Sequence, residues 1–199
     1  MIDTVILDIG NVMVSFDWRA YLDRFEFGPE KKAAIAKATF QSPYWQEVDR
    51  GLMAKEMLRR RFVSAAPEYE PEISYVFENY PTLLKEYPYA IPWVRDLKAR
   101  GYKVYYLSNY GRWPYEQSKS QLGFMDYTDG GLLSYEVHMV KPERTFYLEL
   151  LDRYDIIPDH AVFLDDMQVN IDVARSLGLH GILFTGYEDA VEELALLGV

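Results

Sequence analysis

The sequence predicts an α/β fold, a doubly wound, Rossmann-like parallel sheet that carries a helical insertion. Four short runs are rich in β-branched and aromatic residues and lack alternating polarity, as expected for strands buried on both faces. They are Val5–Leu7, Val104–Leu107, Val162–Leu164 and Gly181–Phe184. Helical patterns alternate with the later runs, and one long helical interval separates the first run from the second.

Three helices of the sheet domain are each predicted from an apolar face and a boundary residue. Their apolar sets are Val94/Leu97, Phe146/Leu150/Leu151/Tyr154 and Ile171/Ala174/Leu177. Gly101 and Gly178 follow the first and third helices, and Pro142-Glu143 opens the second.

The interval from about Asp17 to Tyr87 contains helical patterns but no run typical of a buried strand. Its segments are Trp18–Phe25, Glu30–Phe40, Ala54–Phe62 and Ile73–Tyr80. We therefore expect residues 16–87 to form a helical domain inserted into a core of residues 1–15 and 88–199. It would lie over the carboxyl ends of the strands, where such sheets hold their sites.

The composition indicates an ordinary globular protein. Hydrophobic residues make up 49% and charged residues 26% of the 199 residues, and the net charge is −10. Nucleic-acid binding needs a basic face, which this chain lacks. No apolar run approaches the roughly 18 residues of a membrane span, and the absence of cysteine suits a reducing compartment. We expect a cytoplasmic protein that binds neither nucleic acid nor membrane, and the oligomeric state stays open.

Polar residues follow three of the predicted strands. Asp8 follows the first, Ser108-Asn109 the second and Asp165-Asp166 the third, while Lys141 precedes the helix that Pro142 opens. The carboxyl ends of parallel strands meet at one edge of a sheet, so these residues should converge. Each has an ordinary interpretation by itself, as a turn residue, a helix cap or a solvated lysine. Those interpretations do not explain why all of them occur together after strands.

The combined set predicts phosphoryl chemistry. Several carboxylates at one edge repel each other unless a hard cation joins them, and Mg²⁺ suits oxygen ligands best. The cation and Lys141 would neutralise a phosphoryl group, and Ser108 could donate to one of its oxygens. Asp8 would then attack phosphorus to form an aspartyl-phosphate, which water cleaves. The expected partner is a small phosphorylated metabolite.

Four segments, in this order, resemble the motifs of the haloacid dehalogenase-like (HAD) hydrolase superfamily. They are L7-D-I-G-N-V12, L107-S-N109, K141-P-E143 and F163-L-D-D-M-Q-V-N170, and they span nearly the whole chain. The helical interval stands where that superfamily carries its C1-type cap. Within the superfamily, the first motif, D49-R-G51 and K141-P-E143 look most like the bacterial phosphatases that act on glucose 1-phosphate.

The resemblance implies a role for each motif residue. Asp8 is the nucleophile and a metal ligand, and the backbone carbonyl of Gly10 is a second ligand. Asp166 takes the position of a direct metal ligand, and Asp165 that of a water-mediated or orienting one. Lys141 is catalytic and holds phosphate, and the other phosphate-binding positions are Asn11, Ser108 and Asn109.

Gly10 departs from the superfamily's usual pattern, in which an aspartate at this position protonates the leaving group and then activates water. The loss of a general acid and base costs on the order of 10²–10⁴ in rate unless the leaving group needs little help. The hemiacetal oxygen of a sugar 1-phosphate is such a leaving group. We therefore expect a preference for sugar 1-phosphates, acyl phosphates and aryl phosphates.

Substrate specificity is expected from the helical insertion and the loop after Ser108. The candidates are Trp18, Tyr44, Trp45 and Arg50 in the insertion and Tyr110, Arg112 and Trp113 after the second strand. Most aromatic residues serve packing. As a set near the predicted site, they favour a hydroxylated ligand that can stack on aromatic rings.

Other functions fit parts of the pattern. Haloacid dehalogenases also lack the second aspartate of the first motif and use no metal, but an acid pair beside Asp8 without a cation would be repulsive. A catalytically weak binding or regulatory protein would not need Asp8, Lys141 and the acid pair together. A phosphomutase needs proton transfer in both directions, which Gly10 cannot supply. Receiver domains carry their acid pair on the first strand, whereas here it follows the third.

Overall fold

The computed structural model describes residues 1–199 and contains seven β-strands. Numbered along the chain, they are β1 (Thr4–Leu7), β2 (Val14–Ser15), β3 (Lys85–Glu86), β4 (Lys103–Ser108), β5 (Gly130–Leu133), β6 (Ala161–Asp165) and β7 (His180–Leu183). Five of them form one parallel sheet in the order β5-β4-β1-β6-β7, so that β1 lies at its centre. Every residue of β1 and β6 is buried, as predicted for strands covered on both faces.

Eleven α-helices surround and extend this sheet. They are α1 (Trp18–Asp23), α2 (Pro29–Ala38), α3 (Tyr44–Asp49), α4 (Lys55–Ala65), α5 (Glu70–Glu78), α6 (Ala90–Ala99), α7 (Arg112–Ser118), α8 (Ser134–Val137), α9 (Arg144–Arg153), α10 (Gln168–Ser176) and α11 (Tyr187–Leu196). None of them combines the length and apolar character that a membrane crossing requires.

Alternate residues of β1 contribute to two apolar clusters. Val5 and Leu7 belong to one cluster, together with residues of α6 and α11, whereas Ile6 belongs to the other with residues of α9 and α10. Because successive side chains of a strand point to opposite faces, helices cover both faces of the sheet. The predicted doubly wound α/β fold is therefore confirmed.

The five helices α1 to α5 lie between β1 and β4, where a helical insertion was predicted. The chain leaves the core through β2 and returns through β3, and these two strands pair antiparallel. The sequence analysis missed this two-stranded ribbon, because two-residue strands carry no detectable periodicity. Asp17 caps the first helix, since its Oδ1 accepts a hydrogen bond of 2.9 Å from the Ala20 amide. The domain bounds of 16–87 stay a prediction.

The edge strand β5 and the start of α9 differ from the sequence interpretation. Gly130 and Gly131 give β5 no β-propensity signal, yet Gly131 is required by close packing. A Cβ atom there would lie 2.3 Å from the Tyr106 ring. Helix α9 begins at Arg144, two residues after Pro142, because Lys141 and Pro142 form a turn and Glu143 is the N-cap residue.

Candidate active site

The carboxyl ends of three neighbouring strands bring the predicted polar residues to one edge of the sheet. Asp8 directly follows β1, Ser108 ends β4, and Asp165 ends β6 with Asp166 beside it. Lys141 reaches the same place from the segment between α8 and α9. All of them except Asp165 line a cleft with a volume of about 360 Å³, whose other walls include residues of the helical insertion.

Lys141 is the cation that joins two of these acids. Its Nζ lies 2.7 Å from Asp8 Oδ1 and 2.6 Å from Asp165 Oδ2, and all three side chains are buried. Burial lowers the pKa of Lys141, but Asp8 and Asp165 outweigh burial and raise that pKa above its usual value. The lysine therefore stays charged and compensates part of the negative charge that the strand ends concentrate.

The two acids after β6 have different surroundings. Both oxygens of the fully buried Asp165 accept hydrogen bonds. Oδ2 accepts from Lys141 Nζ, and Oδ1 accepts hydrogen bonds of 2.8 Å from the Met167 amide and from Asn170 Nδ2. Asp166 is only half-buried and faces the cleft, where its Oδ2 accepts a hydrogen bond of 2.9 Å from Asn11 Nδ2. This placement is compatible with the expected roles of Asp166 as a direct metal ligand and Asp165 as an orienting residue.

A hard divalent cation fits the donors present here. Asp8, Asp165 and Asp166 each offer a carboxylate oxygen, and these oxygens lie within 4.8 Å of one another. Asp8 Oδ1 is buried and pairs with the Lys141 ammonium at 2.7 Å. The Gly10 carbonyl accepts no hydrogen bond. Mg²⁺ coordination would satisfy this oxygen and offset the negative charge that Lys141 alone does not compensate.

The charge of Asp8 is costly in the metal-free protein. Burial raises the pKa of Asp8 from 3.8 to about 6, the Lys141 charge lowers it in part, and the neighbouring Asp165 raises it further. A bound cation would favour the ionised carboxylate, which is the nucleophilic form.

The side chains of both candidate phosphate-binding asparagines are engaged within the protein. Asn109 Nδ2 donates to the Lys141 carbonyl at 3.0 Å, and Asn109 Oδ1 accepts from the Lys141 amide at 2.7 Å. Asn11 Nδ2 donates to Asp166, while its Oδ1 accepts from the Phe16 amide at 3.1 Å. Asn109 thus holds the backbone of Lys141, and Asn11 holds Asp166.

Sequence reasoning missed three backbone amides and one acid at this edge of the sheet. The amides of Ile9, Gly10 and Asn109 donate no backbone hydrogen bond in the protein, which leaves them free for a ligand oxygen. Asp49 lines the cleft from the end of α3. Motif D49-R-G51 was the only sequence signal for Asp49, and it assigned the residue no role.

Two of the five main specificity candidates line the cleft, namely Trp45 and Tyr110. The other three lie elsewhere because other contacts hold them. Trp18 stacks on Phe40 with ring centroids 5.8 Å apart, Arg50 pairs with Glu143, and the Arg112 guanidinium lies 4.7 Å from the Tyr135 ring centroid. Tyr44 and Trp113 also lie outside the cleft lining.

A family model described as haloacid dehalogenase-like hydrolase matches residues 2–178 of the chain. A chloroplastic flavin mononucleotide hydrolase of Arabidopsis thaliana is 24% identical over 159 residues, which cover 78% of this chain and 62% of that protein. A sesquiterpene phosphatase of Aspergillus oryzae is 24% identical over 180 residues, 90% of this chain and 88% of that one.

A HAD family enzyme of Bacteroides thetaiotaomicron, solved as a variant with magnesium and inorganic phosphate, has the same fold. Its TM-score is 0.76 at 22% identity, with coverage of 92% of this chain and 94% of that one. The chain thus spans less than two thirds of the Arabidopsis relative and most of the other two proteins. Its cytoplasmic location stays a prediction.

We predict that Asp8→Asn stabilises the metal-free protein at about pH 8. The folded pKa of Asp8, about 6, lies above its unfolded value, so the folded state binds the proton more tightly. The free energy of unfolding should therefore fall as the pH rises from about 4 to above 6, and this contribution disappears in the variant. Urea unfolding in EDTA should show the variant more stable by about 1–3 kcal/mol at about pH 8 and similar to the wild type at about pH 4.

Addition of Mg²⁺ should reverse that order, because only the wild type carries the complete set of carboxylate donors. A stability difference between variant and wild type that is the same at both pH values would show that the Asp8 charge is not costly.

Proposed function

Because the chain belongs to the haloacid dehalogenase-like hydrolases, we propose that it is a Mg²⁺-dependent phosphatase of small phosphate monoesters that works through an aspartyl-phosphate on Asp8. One observation carries the proposal. The Lys141 ammonium lies between Asp8 and Asp165, beside an acid cluster that fits a cation. Lys141 and a bound cation would place two positive centres around the Asp8 carboxylate, which suits a dianionic phosphoryl group.

The first half of the reaction positions the phosphoryl group against Asp8. Lys141, the Ser108 hydroxyl and the free amides of Ile9, Gly10 and Asn109 hold its oxygens. Asp8, Asp166 and the Gly10 carbonyl would hold Mg²⁺, with Asp165 as an orienting residue, and the cation would supply charge neutralisation. The Asp8 carboxylate attacks phosphorus as the bond to the alcohol oxygen breaks, and water later releases inorganic phosphate.

Dehalogenation fits the site less well. A chain that attacks carbon without a metal has no use for three acids within 4.8 Å of one another. Lys141 can compensate only part of that negative charge. The negative charge that remains beside Lys141 supports a cation-dependent reaction instead.

The cleft supports two substrate classes. We propose a sugar phosphate such as glucose 1-phosphate, which could stack on the rings of Trp45 and Tyr110 above the phosphate site. Five other residues that line the cleft favour a second candidate, an ester of an apolar or aromatic alcohol. They are the mostly apolar residues Val14, Phe16, Tyr80, Leu84 and Pro114. The relatives named for flavin mononucleotide and sesquiterpene substrates are in line with this second class.

We expect the purified protein to hydrolyse p-nitrophenyl phosphate with Mg²⁺ and to lose this activity in EDTA. Asp8→Asn removes the nucleophile and should lower kcat by on the order of 10³-fold or more, without unfolding the protein. Product release and circular dichroism measure the two quantities. Metal-independent chloride release from 2-chloropropionate would favour the dehalogenase, and an unchanged rate in the variant would favour a binding or regulatory protein.

A substrate panel separates the two ester classes. Glucose 1-phosphate, glucose 6-phosphate, flavin mononucleotide, phenyl phosphate and an isoprenyl monophosphate should differ in kcat/KM. The highest value is expected for glucose 1-phosphate if the sugar proposal holds, and for flavin mononucleotide or an aryl or isoprenyl ester if the second class is correct. Trp45→Ala should raise KM for the best ester by about tenfold through lost ring contact, while inhibition by inorganic phosphate stays unchanged. Tyr75→Ala, an exposed aromatic of α5, is the matched control.

A further inference from the structure

A carboxylic acid from the helical insertion faces the phosphate end of the cleft. Asp49 is the last residue of α3 and lines the cleft together with Asp8, Ser108 and Lys141. Its side chain forms no ion pair or hydrogen bond, and its backbone carbonyl accepts a hydrogen bond of 2.5 Å from Ser134 Oγ. An acid held in a cleft without a partner has its proton available for a ligand.

Contacts to the sheet domain fix the backbone on both sides of Asp49. Val48 lies against Gly111, where a Cβ atom would approach the Val48 carbonyl oxygen to 2.6 Å. On the other side, Gly51 has φ +70° and its Cβ position lies 2.9 Å from Tyr135 Cβ. Both glycines are therefore needed for this close approach of the insertion to the core.

Arg50 supplies a third attachment. Its guanidinium forms a two-pronged ion pair with Glu143, one arm of which is 3.0 Å long, and its carbonyl lies 2.7 Å from His138 Nδ1. Glu143 is two residues from Lys141. The insertion and the catalytic lysine are thus anchored to the same short segment, which holds Asp49 over the site.

The proposed reaction needs an acid that the first motif does not provide. Gly10 has no side chain, and the space where its Cβ would project is empty within 4 Å. An alcohol oxygen leaves phosphorus poorly unless it is protonated as the bond breaks. The position usual for this acid is therefore open, while Asp49 lines the same cleft from the helical insertion.

We propose that Asp49 is the general acid and base of this enzyme and replaces the acid that is absent at position 10. The proposal rests on the phosphatase function given above. In the first half-reaction, Asp49 gives its proton to the ester oxygen as the P–O bond breaks and the bond between Asp8 and phosphorus forms. In the second, the Asp49 carboxylate takes a proton from the water that attacks phosphorus. Inorganic phosphate leaves, and both aspartates return to their starting forms.

The electrostatics of the site support this role. Burial raises the pKa of Asp49 from 3.8 to about 7, against the lowering effect of Lys141, and Asp8 raises it further. Tyr80 and Tyr110 are the other titratable groups near it, and burial raises the pKa of both well above neutrality, so they stay uncharged. A group with a pKa near the working pH can both give and take a proton.

The test compares Asp49→Asn with the wild type on esters of different leaving group. The value of kcat/KM reports the steps up to departure of the alcohol. It should fall on the order of 10²-fold or more for the best alkyl phosphate of the panel, but by less than about fivefold for p-nitrophenyl phosphate, whose leaving group needs no proton. The second half-reaction should become slow, so that a burst of nitrophenolate precedes the steady state. Glu47→Gln, an acid-to-amide change in the same helix, is the control.

Gly10→Asp then distinguishes an acid from a structural role. It should raise kcat/KM for the alkyl ester by at least about tenfold more in the Asp49→Asn background than in the wild type, because it restores a missing function only there. Equal losses on both esters in Asp49→Asn, or equal gains from Gly10→Asp in both backgrounds, would overturn the assignment. If the wild type hydrolyses no ester of the panel, the phosphatase proposal itself has failed, which is a different result.

Discussion

The buried ammonium of Lys141 between Asp8 and Asp165 is the interaction on which the rest of the site depends. Parallel strands bring their carboxyl ends together, and two of those ends carry three acids, Asp8, Asp165 and Asp166, so the fold concentrates negative charge that it must compensate. A buried charge is tolerated only when it is paired and positioned. Here Asn109 holds the lysine backbone through two hydrogen bonds, while Asn170 and the Met167 amide hold Asp165. Asp8 pairs with the same ammonium at 2.7 Å and lines the cleft, where a ligand can meet its carboxylate.

The same segment that presents Lys141 also ties the helical insertion to the sheet. Glu143 pairs with Arg50, His138 contacts the Arg50 carbonyl, and Ser134 donates to the Asp49 carbonyl. These contacts fix the position of α3, which would meet the alcohol part of a substrate, relative to the groups proposed to bind phosphate. We infer that specificity and proton transfer come from one short piece of α3, with Trp45 and Asp49 a turn apart on the same helix.

The sequence predicted the sheet and the convergence of the motif residues, because buried strands and strand-end polar residues leave local signals. It did not predict β5, since Gly130 and Gly131 are chosen by packing against Tyr154 and Tyr106 rather than by β-propensity. The side-chain contacts of Asn11 and Asn109 were equally out of reach, because each partner lies far away in the sequence. The sequence shows that position 10 lacks an acid. It does not show the candidate replacement, Asp49, because this residue lies 39 residues further along the chain and meets Gly10 only in the folded cleft.

The central claim is that the Asp8 carboxylate attacks phosphorus, and chemical trapping tests it most directly. Enzyme mixed with Mg²⁺ and its best ester is quenched during turnover and reduced with borohydride, which converts an aspartyl-phosphate to homoserine. Peptide mass spectrometry should then find homoserine at position 8, only when substrate is present and not in Asp8→Asn. Homoserine at another acidic residue, or none while phosphate is being released, would contradict the account.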